Sequence, residues 1–314
     1  MADEVRDGVE LKHLDAELFD GAGATKRELV DYLDAVADRI LPELRDRPLT
    51  VLRVRPGQQP FMQKNLPTYA PDWIPTVTVW AQASQREVHY PLCHDRRTLL
   101  WFAGQRAVEF HPTVLDGEGH VTYLVLDLDP PEGAGFGDVV RAAHLVREAL
   151  TATGLEAAAK TSGSKGIHVV VPVSSRTSVE DAMAATRALS ARTERLDPAA
   201  VTTAFLKEER HGKVYVDPTR AGGASLACAY SPRARPGVPV SFPVAWADLD
   251  RVTPADFTVR TAPDLLGDAD PWRASLPAPQ DLPDDLVAEG HSIPVPRVVA
   301  MHEGKRRARA RRQS

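Results

Sequence analysis

The chain has 314 residues, 43 % of them hydrophobic and 26 % charged, enough to bury one large core or two modest ones. No window approaches the ~18 uninterrupted apolar residues of a membrane span. The first thirty residues carry charge throughout, which excludes a secretory signal and makes the cytoplasm the expected compartment.

The net charge is −5, and the last ten residues, KRRARARRQS, hold six cations, so the rest of the chain stands at −11. That balance excludes a general nucleic-acid coat protein, and any nucleic-acid binding has to come from local basic patches. Two cysteines, Cys93 and Cys228, cannot make a disulfide framework or a zinc cage by themselves.

Taken in chain order, residues 25–41 (TKRELVDYLDAVADRIL) predict a helix. Thr25 and Glu28 form a capping box, and Leu29, Leu33, Val36, Ala37 and Ile40 give an apolar stripe. Pro42 and Pro48 lead into a strand, LTVLRVR, with Arg53 and Arg55 on one side of it. PGQQPFMQKNLPTYAPDW reads as an ordered surface loop. TVTVWAQ and REVHYPL predict two short strands around a polar turn, and residues 95–108 a short helix closed by EFHP.

VTYLVLDLDPP is a buried strand ending in acids, followed by an amphipathic helix, GFGDVVRAAHLVREALTATG. KTSGSKGIHVVVPV is a glycine-serine turn entering a strand, VEDAMAATRALSARTERL a second helix, and GKVYVDP a strand ending in an acid. Residues 262–298 are proline-rich and loosely patterned.

Three acids end apolar strands: Asp127, Asp129 and Asp217. Period-2 geometry puts Asp127 and Asp129 on one strand face, where two carboxylates repel unless a cation sits between them. A third acid from another strand end completes an oxygen-rich site for magnesium or manganese, and two such ions ~3.5–4 Å apart clamp an in-line phosphoryl or nucleotidyl displacement. The plainer reading of a strand-end aspartate is a helix or turn cap.

The turn Thr161-Ser162-Gly163-Ser164-Lys165-Gly166 offers backbone N–H groups, hydroxyls and one cation to an anion. It is not a Walker loop, because the glycine spacing differs and a strand follows it. His168, just inside that strand, is a core histidine or a triphosphate ligand. Arg233 and Arg235 in SPRARPG suit a polyanion or a solvated loop. Phe61, Lys64 and Asn65 place an aromatic face beside a cation, as single-strand stacking platforms do, although Phe61 equally suits a core anchor. His89, Cys93 and His94 have no partner pair and read as structural rather than zinc-binding.

FMQKN…APDW, EFHP, LVLDLDP, KTSGSKGIHVVVPV, KVYVDP and YSPRARPG together resemble, in this order, the polymerase domain of bacterial ligase D, in the archaeo-eukaryotic primase superfamily. The resemblance covers about residues 10–260. It implies an α/β (α+β) primase-polymerase fold, with central mixed or antiparallel sheets flanked by helices and two abutting modules.

By the same resemblance, Asp127, Asp129 and Asp217 are metal-binding catalytic acids serving two Mn2+ or Mg2+ ions. Ser162, Lys165 and His168 match the triphosphate turn, with Ser164 of the same turn expected to bind nucleotide, and Arg233 and Arg235 match the nucleotide-contacting arginines. His111 matches a histidine near the sugar, and Lys26, Phe61 and Lys64 match positions that meet the template and the downstream 5′-phosphate; Arg53 and Asn65 beside them are expected to bind DNA too. The implied substrates are NTPs or dNTPs and gapped or broken duplex DNA. A Ku-like end-binding protein and a separate DNA ligase are the implied partners of a monomer.

The chain departs from the family at Ala16, where a lysine often helps to hold the downstream 5′-phosphate, at Met62, and at Arg220-Ala221, where glutamine and asparagine are frequent. No KxDG ligase motif occurs, and the length leaves no room for ligase or phosphoesterase domains, so a stand-alone member is expected.

The expected organisation is an N-terminal helical segment (1–48), a catalytic domain (49–261), a proline-rich extended arm (262–302) and a basic, disordered tail (303–314). That tail is expected either to add sequence-independent affinity for phosphates or only to solubilise the end. Two other readings compete with a polymerase. One is a haloacid-dehalogenase-like phosphatase built on YLVLDLDP, although Pro131 stands where that pattern wants threonine or valine. The other is a catalytically weak module that binds DNA ends or gaps.

Overall fold

The computed structural model describes residues 4–81 and 85–294, so the basic tail lies outside the described residues. Thirteen strands and eight α-helices occur among them. In chain order they are β1 (Glu4–Arg6), β2 (Val9–Leu11), α1 (Lys26–Ala35), α2 (Ala37–Leu44), β3 (Leu49–Arg55), β4 (Gln58–Gln63), β5 (Thr76–Ala81), β6 (Arg86–Pro91), α3 (Arg96–Gly104), β7 (Ala107–Pro112) and β8 (Tyr123–Asp129). There follow α4 (Phe136–Ala152), β9 (Ala158–Thr161), β10 (Ile167–Pro172), α5 (Val179–Leu196), β11 (Val201–Thr202), β12 (Val214–Asp217), β13 (Pro243–Val244), α6 (Ala262–Leu266), α7 (Pro271–Ser275) and α8 (Asp284–Ser292).

The larger sheet has the order β11-β12-β8-β10-β9-β13, antiparallel throughout except for the β11–β12 pair. A three-stranded antiparallel sheet, β4-β3-β7, carries the basic and aromatic residues near position 60. Strand alternation explains how the larger sheet serves core and site together. On β8, Leu124, Leu126 and Leu128 are fully buried on one face, while Asp127 and Asp129 point from the other. On β10, Ile167, Val169 and Val171 are buried on the face opposite His168. Helices α4 and α5 pack against β8, and α8 packs against α5.

The capping box at Thr25 forms as expected, but the predicted helix breaks at Val36 into α1 and α2, and Pro42 lies inside α2 rather than ahead of a strand. The surface loop expected around residues 58–63 is instead β4. Pro60 does not exclude a strand there, because β4 is a sheet edge and the β3–β4 register shifts between Arg53 and Arg55. EFHP, read as closing a helix, belongs to strand β7.

The extended arm is also corrected: residues 262–292 carry α6, α7 and α8. The chain can bring α8 so close because residue 290 is glycine. A Cβ there would lie 1.9 Å from the Ala184 carbonyl oxygen. Among the described residues, no helix is long and apolar enough to cross a membrane.

Candidate active site

Strand register lines up four chemically active side chains in one row. Lys160 on β9 pairs with His168 on β10, His168 with Asp127 on β8, and Asp127 with Asp217 on β12. Directly opposed residues of antiparallel strands have Cβ atoms only ~4.5–5.5 Å apart. The row therefore sets two carboxylates beside an imidazole. Asp127 and His168 of the row line a cleft of about 490 Å³ together with Asp129, Lys165, Arg220 and Arg233.

The acids are held by arginines. Arg220 reaches Asp127 at 3.0 Å through Nη2 and approaches Asp217 at 2.9 Å through Nε, the latter without an aligned hydrogen bond. Thr219 donates to Asp217 Oδ1 from both its backbone N–H (2.8 Å) and its hydroxyl (2.6 Å). Arg210 lies 3.4 Å from Asp129 and stacks over the Tyr215 ring. Burial raises the pKa of Asp127 above the usual carboxylate range; Arg220 opposes this, while Asp217 and Asp129 add to it.

His168 approaches Asp127 at 3.4 Å through Nε2. Its pKa falls well below normal, first through burial and then through Lys160 and Arg233, so the ring is neutral. Lys160 is fully enclosed, and burial lowers its pKa to about 7.

The glycine-serine turn is closed by its own side chain. Ser162 Oγ accepts from the backbone N–H groups of Ser164 (3.2 Å) and Gly166 (3.0 Å). Gly166 is required by close approach, since a Cβ there would meet the Leu128 carbonyl oxygen at 2.2 Å. Lys165 projects into solvent at the cleft. Arg233 donates to the Ser162 carbonyl and lies 3.1 Å from Glu109.

Glu109 also bonds the His111 ring at 2.7 Å and accepts from the Ala234 N–H at 2.9 Å. Burial opposes its charge, but the His111 hydrogen bond and the Arg233 charge outweigh burial and hold the carboxyl at about 2. Arg235 is exposed at the rim of the same cleft.

Asp127, Asp129, His111, Ser162, Ser164, Lys165, His168, Arg233 and Arg235 all line this cleft, and Asp217 joins it through Arg220. The expected DNA-side residues separate into two groups. Phe61 (36 % exposed) lies on β4, where the Arg53 and Arg55 guanidinium carbons approach its ring at 5.7 and 5.3 Å, and Lys64 is exposed just past the end of that strand.

Both arginines approach Phe61, as expected of residues on one side of β3, but Arg53 is only 6 % exposed and binds Gln63, Tyr69 and Gln105, so it is not open to DNA. Lys26 is buried too, donating to the Lys12 carbonyl at 2.6 Å, with its pKa lowered to about 8 by burial. Asn65 accepts from the His89 N–H and so stitches its loop to β6. His89 bonds Thr78, and His94 pairs with Asp46.

Sequence reasoning missed Lys160, Glu109, Arg210 and the bridging role of Arg220. Glu109 carried a usable signal, since it lies two residues from His111 on one strand.

The LigD primase-polymerase domain family matches residues 25–272. The bifunctional non-homologous end joining protein LigD of Bacillus subtilis is 33 % identical over 259 residues, covering 81 % of this chain and 41 % of that protein. The multifunctional non-homologous end joining DNA repair protein LigD of Mycobacterium tuberculosis is 34 % identical over 255 residues, covering 77 % of this chain and 33 % of that protein. The chain thus spans from a third to just over two fifths of the length of these relatives.

The solved polymerase domain of M. tuberculosis ligase D, in complex with DNA, aligns with a TM-score of 0.76 and 31 % identity. The alignment covers 90 % of this chain and 98 % of that one. The phosphatase reading of YLVLDLDP falls with this match. The chain belongs to the LigD primase-polymerase domain family, with the mixed α/β fold of its polymerase domain.

Proposed function

We propose that the chain is a template-directed nucleotidyltransferase of DNA repair, extending primer 3′ ends at short gaps or broken ends with NTPs or dNTPs. The observation that carries this reading is the register of β10, β8 and β12, which sets His168, Asp127 and Asp217 abreast beside the Lys165 turn.

The donor set fits magnesium or manganese. Asp127 and Asp217 already share one positive partner, and Asp129 has another. Among the described residues, no three acidic, histidine or cysteine side chains gather into a closed metal cage. Magnesium is ordinarily held by one or two carboxylates together with substrate phosphates rather than by such a cage. Asp127, Asp129 and Asp217 would hold the two ions, which when bound stabilise charge on the attacking and leaving oxygens.

In the proposed reaction the primer 3′-hydroxyl attacks the α-phosphorus, a new P–O bond forms, and pyrophosphate leaves. Lys165 offsets charge on the leaving pyrophosphate, and Arg233 and Arg235 face the polyanion. Glu109 fixes the ring of His111 beside the nucleotide, and Phe61 stacks on a base. A Ku-like end-binding protein and a separate ligase are proposed as partners of a cytoplasmic monomer.

The test is primer extension with Mn2+ on a gapped duplex bearing a 5′-phosphate or a 5′-hydroxyl downstream, comparing each NTP with its dNTP. Asp127→Ala should abolish extension and leave DNA binding in place. Extension that survives this change would overturn the metal-site assignment. Failure of the unaltered protein to extend any substrate while still binding DNA would favour the end-binding module.

A further inference from the structure

Lys160 is the one member of the four-residue row to which the proposed chemistry gives no task. Its Nζ has three partners: His168 Nδ1 at 2.7 Å, the Ala227 carbonyl at 2.8 Å and Ser241 Oγ at 2.6 Å. Ser241 spends its own hydroxyl proton on the Thr161 carbonyl at 2.8 Å, so towards Lys160 it can only accept. Below its pKa of about 7, Lys160 is an ammonium, with three donors and no acceptor. Its three hydrogens thus have three acceptors to meet, in a site that is 3 % exposed.

The consequence falls on His168. A neutral imidazole carries one proton, on either nitrogen, and the hydrogen bond made at one nitrogen decides the state of the other. With Lys160 donating to Nδ1, that nitrogen must be bare, and the proton must sit on Nε2, the atom facing Asp127 Oδ1 at 3.4 Å.

The geometry points to Lys160 as a positioning residue, which locks His168 in the Nε2–H tautomer and so presents a hydrogen-bond donor to the cleft. Lys160 touches neither the cleft opening nor Asp127; it acts through the ring. The inference rests on the nucleotidyltransferase reading only for what that donor meets, namely the acid row and a substrate triphosphate.

The lock also has a structural origin. Lys160 and His168 are paired residues on neighbouring strands, and Lys160 pairs on its other side with Pro243 of β13. Fixing three strands in register thus fixes the donor. Partners that orient a functional histidine from behind cost roughly 10–100-fold in activity or affinity when they are removed from metal sites, a scale that applies here by analogy.

The experiment is a long-range 1H–15N correlation spectrum of protein carrying 15N-labelled histidine, recorded without metal or nucleotide at pH 6. The His168 resonances are assigned by their loss in His168→Gln. The unaltered protein should show a protonated Nε2 and a bare Nδ1. A protonated Nδ1 would overturn the inference without recourse to any variant at position 160.

In Lys160→Met the two tautomers should mix and kcat should fall about tenfold, while Lys160→Arg, which restores a donor to Nδ1, should recover the single tautomer. A His168 tautomer unchanged in Lys160→Met would also overturn it. Loss of all primer extension by the unaltered protein would instead remove the polymerase reading and leave the tautomer assignment standing.

Discussion

Asp127 and Asp217 stand opposite each other on neighbouring antiparallel strands, and one guanidinium, that of Arg220, reaches both carboxylates at 3.0 and 2.9 Å. Two carboxylates this close destabilise each other unless a positive charge lies near both. Arg220 therefore does for the folded protein what a divalent ion would do for the reaction.

Arg220→Gln removes that charge. Breaking a buried pair costs ~3–5 kcal/mol, but Arg220 is more than a third exposed, so the expected loss of stability is about 1–2 kcal/mol. The thermal midpoint of the variant should fall in chelator and recover on adding Mn2+ by more than that of the unaltered protein, because a cation bound only by the native state stabilises it. Equal responses to Mn2+ would show that Arg220 and the ion do not occupy the same electrostatic position.

A second expectation concerns acid. Glu109 has a folded pKa of about 2 against an ordinary value of 4.5, held down against its burial by His111 and Arg233. A depressed carboxylate contributes stability that is fully present above the unfolded pKa and is lost as pH falls through the folded one. Denaturant titrations from pH 6 to pH 3 should thus show the unaltered protein losing stability faster than Glu109→Gln, with the gap closing below about pH 4.5. Parallel slopes would place the acid sensitivity elsewhere.

Much of the site could be read from residue order, for a physical reason. A strand presents every second residue to one face, so LVLDLDP states by itself that Asp127 and Asp129 lie together, and the glycines of TSGSKG announce a tight turn. Lys160 was hidden because its meaning depends on register between strands, which no local pattern encodes. β4 was hidden because prolines usually end strands, and only an edge position with a register shift accommodates Pro60. The helices after residue 262 escaped because they are short: α6 and α7 have five residues each, and α8 is placed by its contact with α5 rather than by periodicity.

Phe61 and the side chains around it separate folding from binding. Arg53 is buried and makes four side-chain hydrogen bonds, so Arg53→Ala should lower the thermal midpoint, having left Gln63, Tyr69 and Gln105 without their donor. Phe61→Ala should leave the midpoint nearly unchanged but weaken single-stranded DNA binding by ~1–3 kcal/mol, the usual worth of one stacked base. Lys64→Ala should lower affinity modestly and reduce the salt dependence of binding by about one counterion. Unfolding curves paired with fluorescence anisotropy at several salt concentrations distinguish these outcomes. A Phe61→Ala protein that binds DNA normally would remove the stacking role.

One glycine tests the turn itself, and a second, on α4, is its control. Gly137 is exposed near the start of α4, and a Cβ added to it would meet nothing within 4 Å, so Gly137→Ala should stabilise the fold by up to about 0.5 kcal/mol. Gly166→Ala meets the backbone oxygen of Leu128, the residue between the two acids, at 2.2 Å. Neither partner can turn aside, because one is the sheet and the other is the turn that Ser162 closes. The substitution should therefore push the Lys165 turn away from β8, lowering stability by ~1–3 kcal/mol as other overpacked sites do. Nucleotide affinity should weaken with it, whereas affinity for DNA alone should not change. Equilibrium nucleotide binding and DNA binding measured on the same preparation decide the point, and unchanged nucleotide affinity in Gly166→Ala would detach the turn from the nucleotide site.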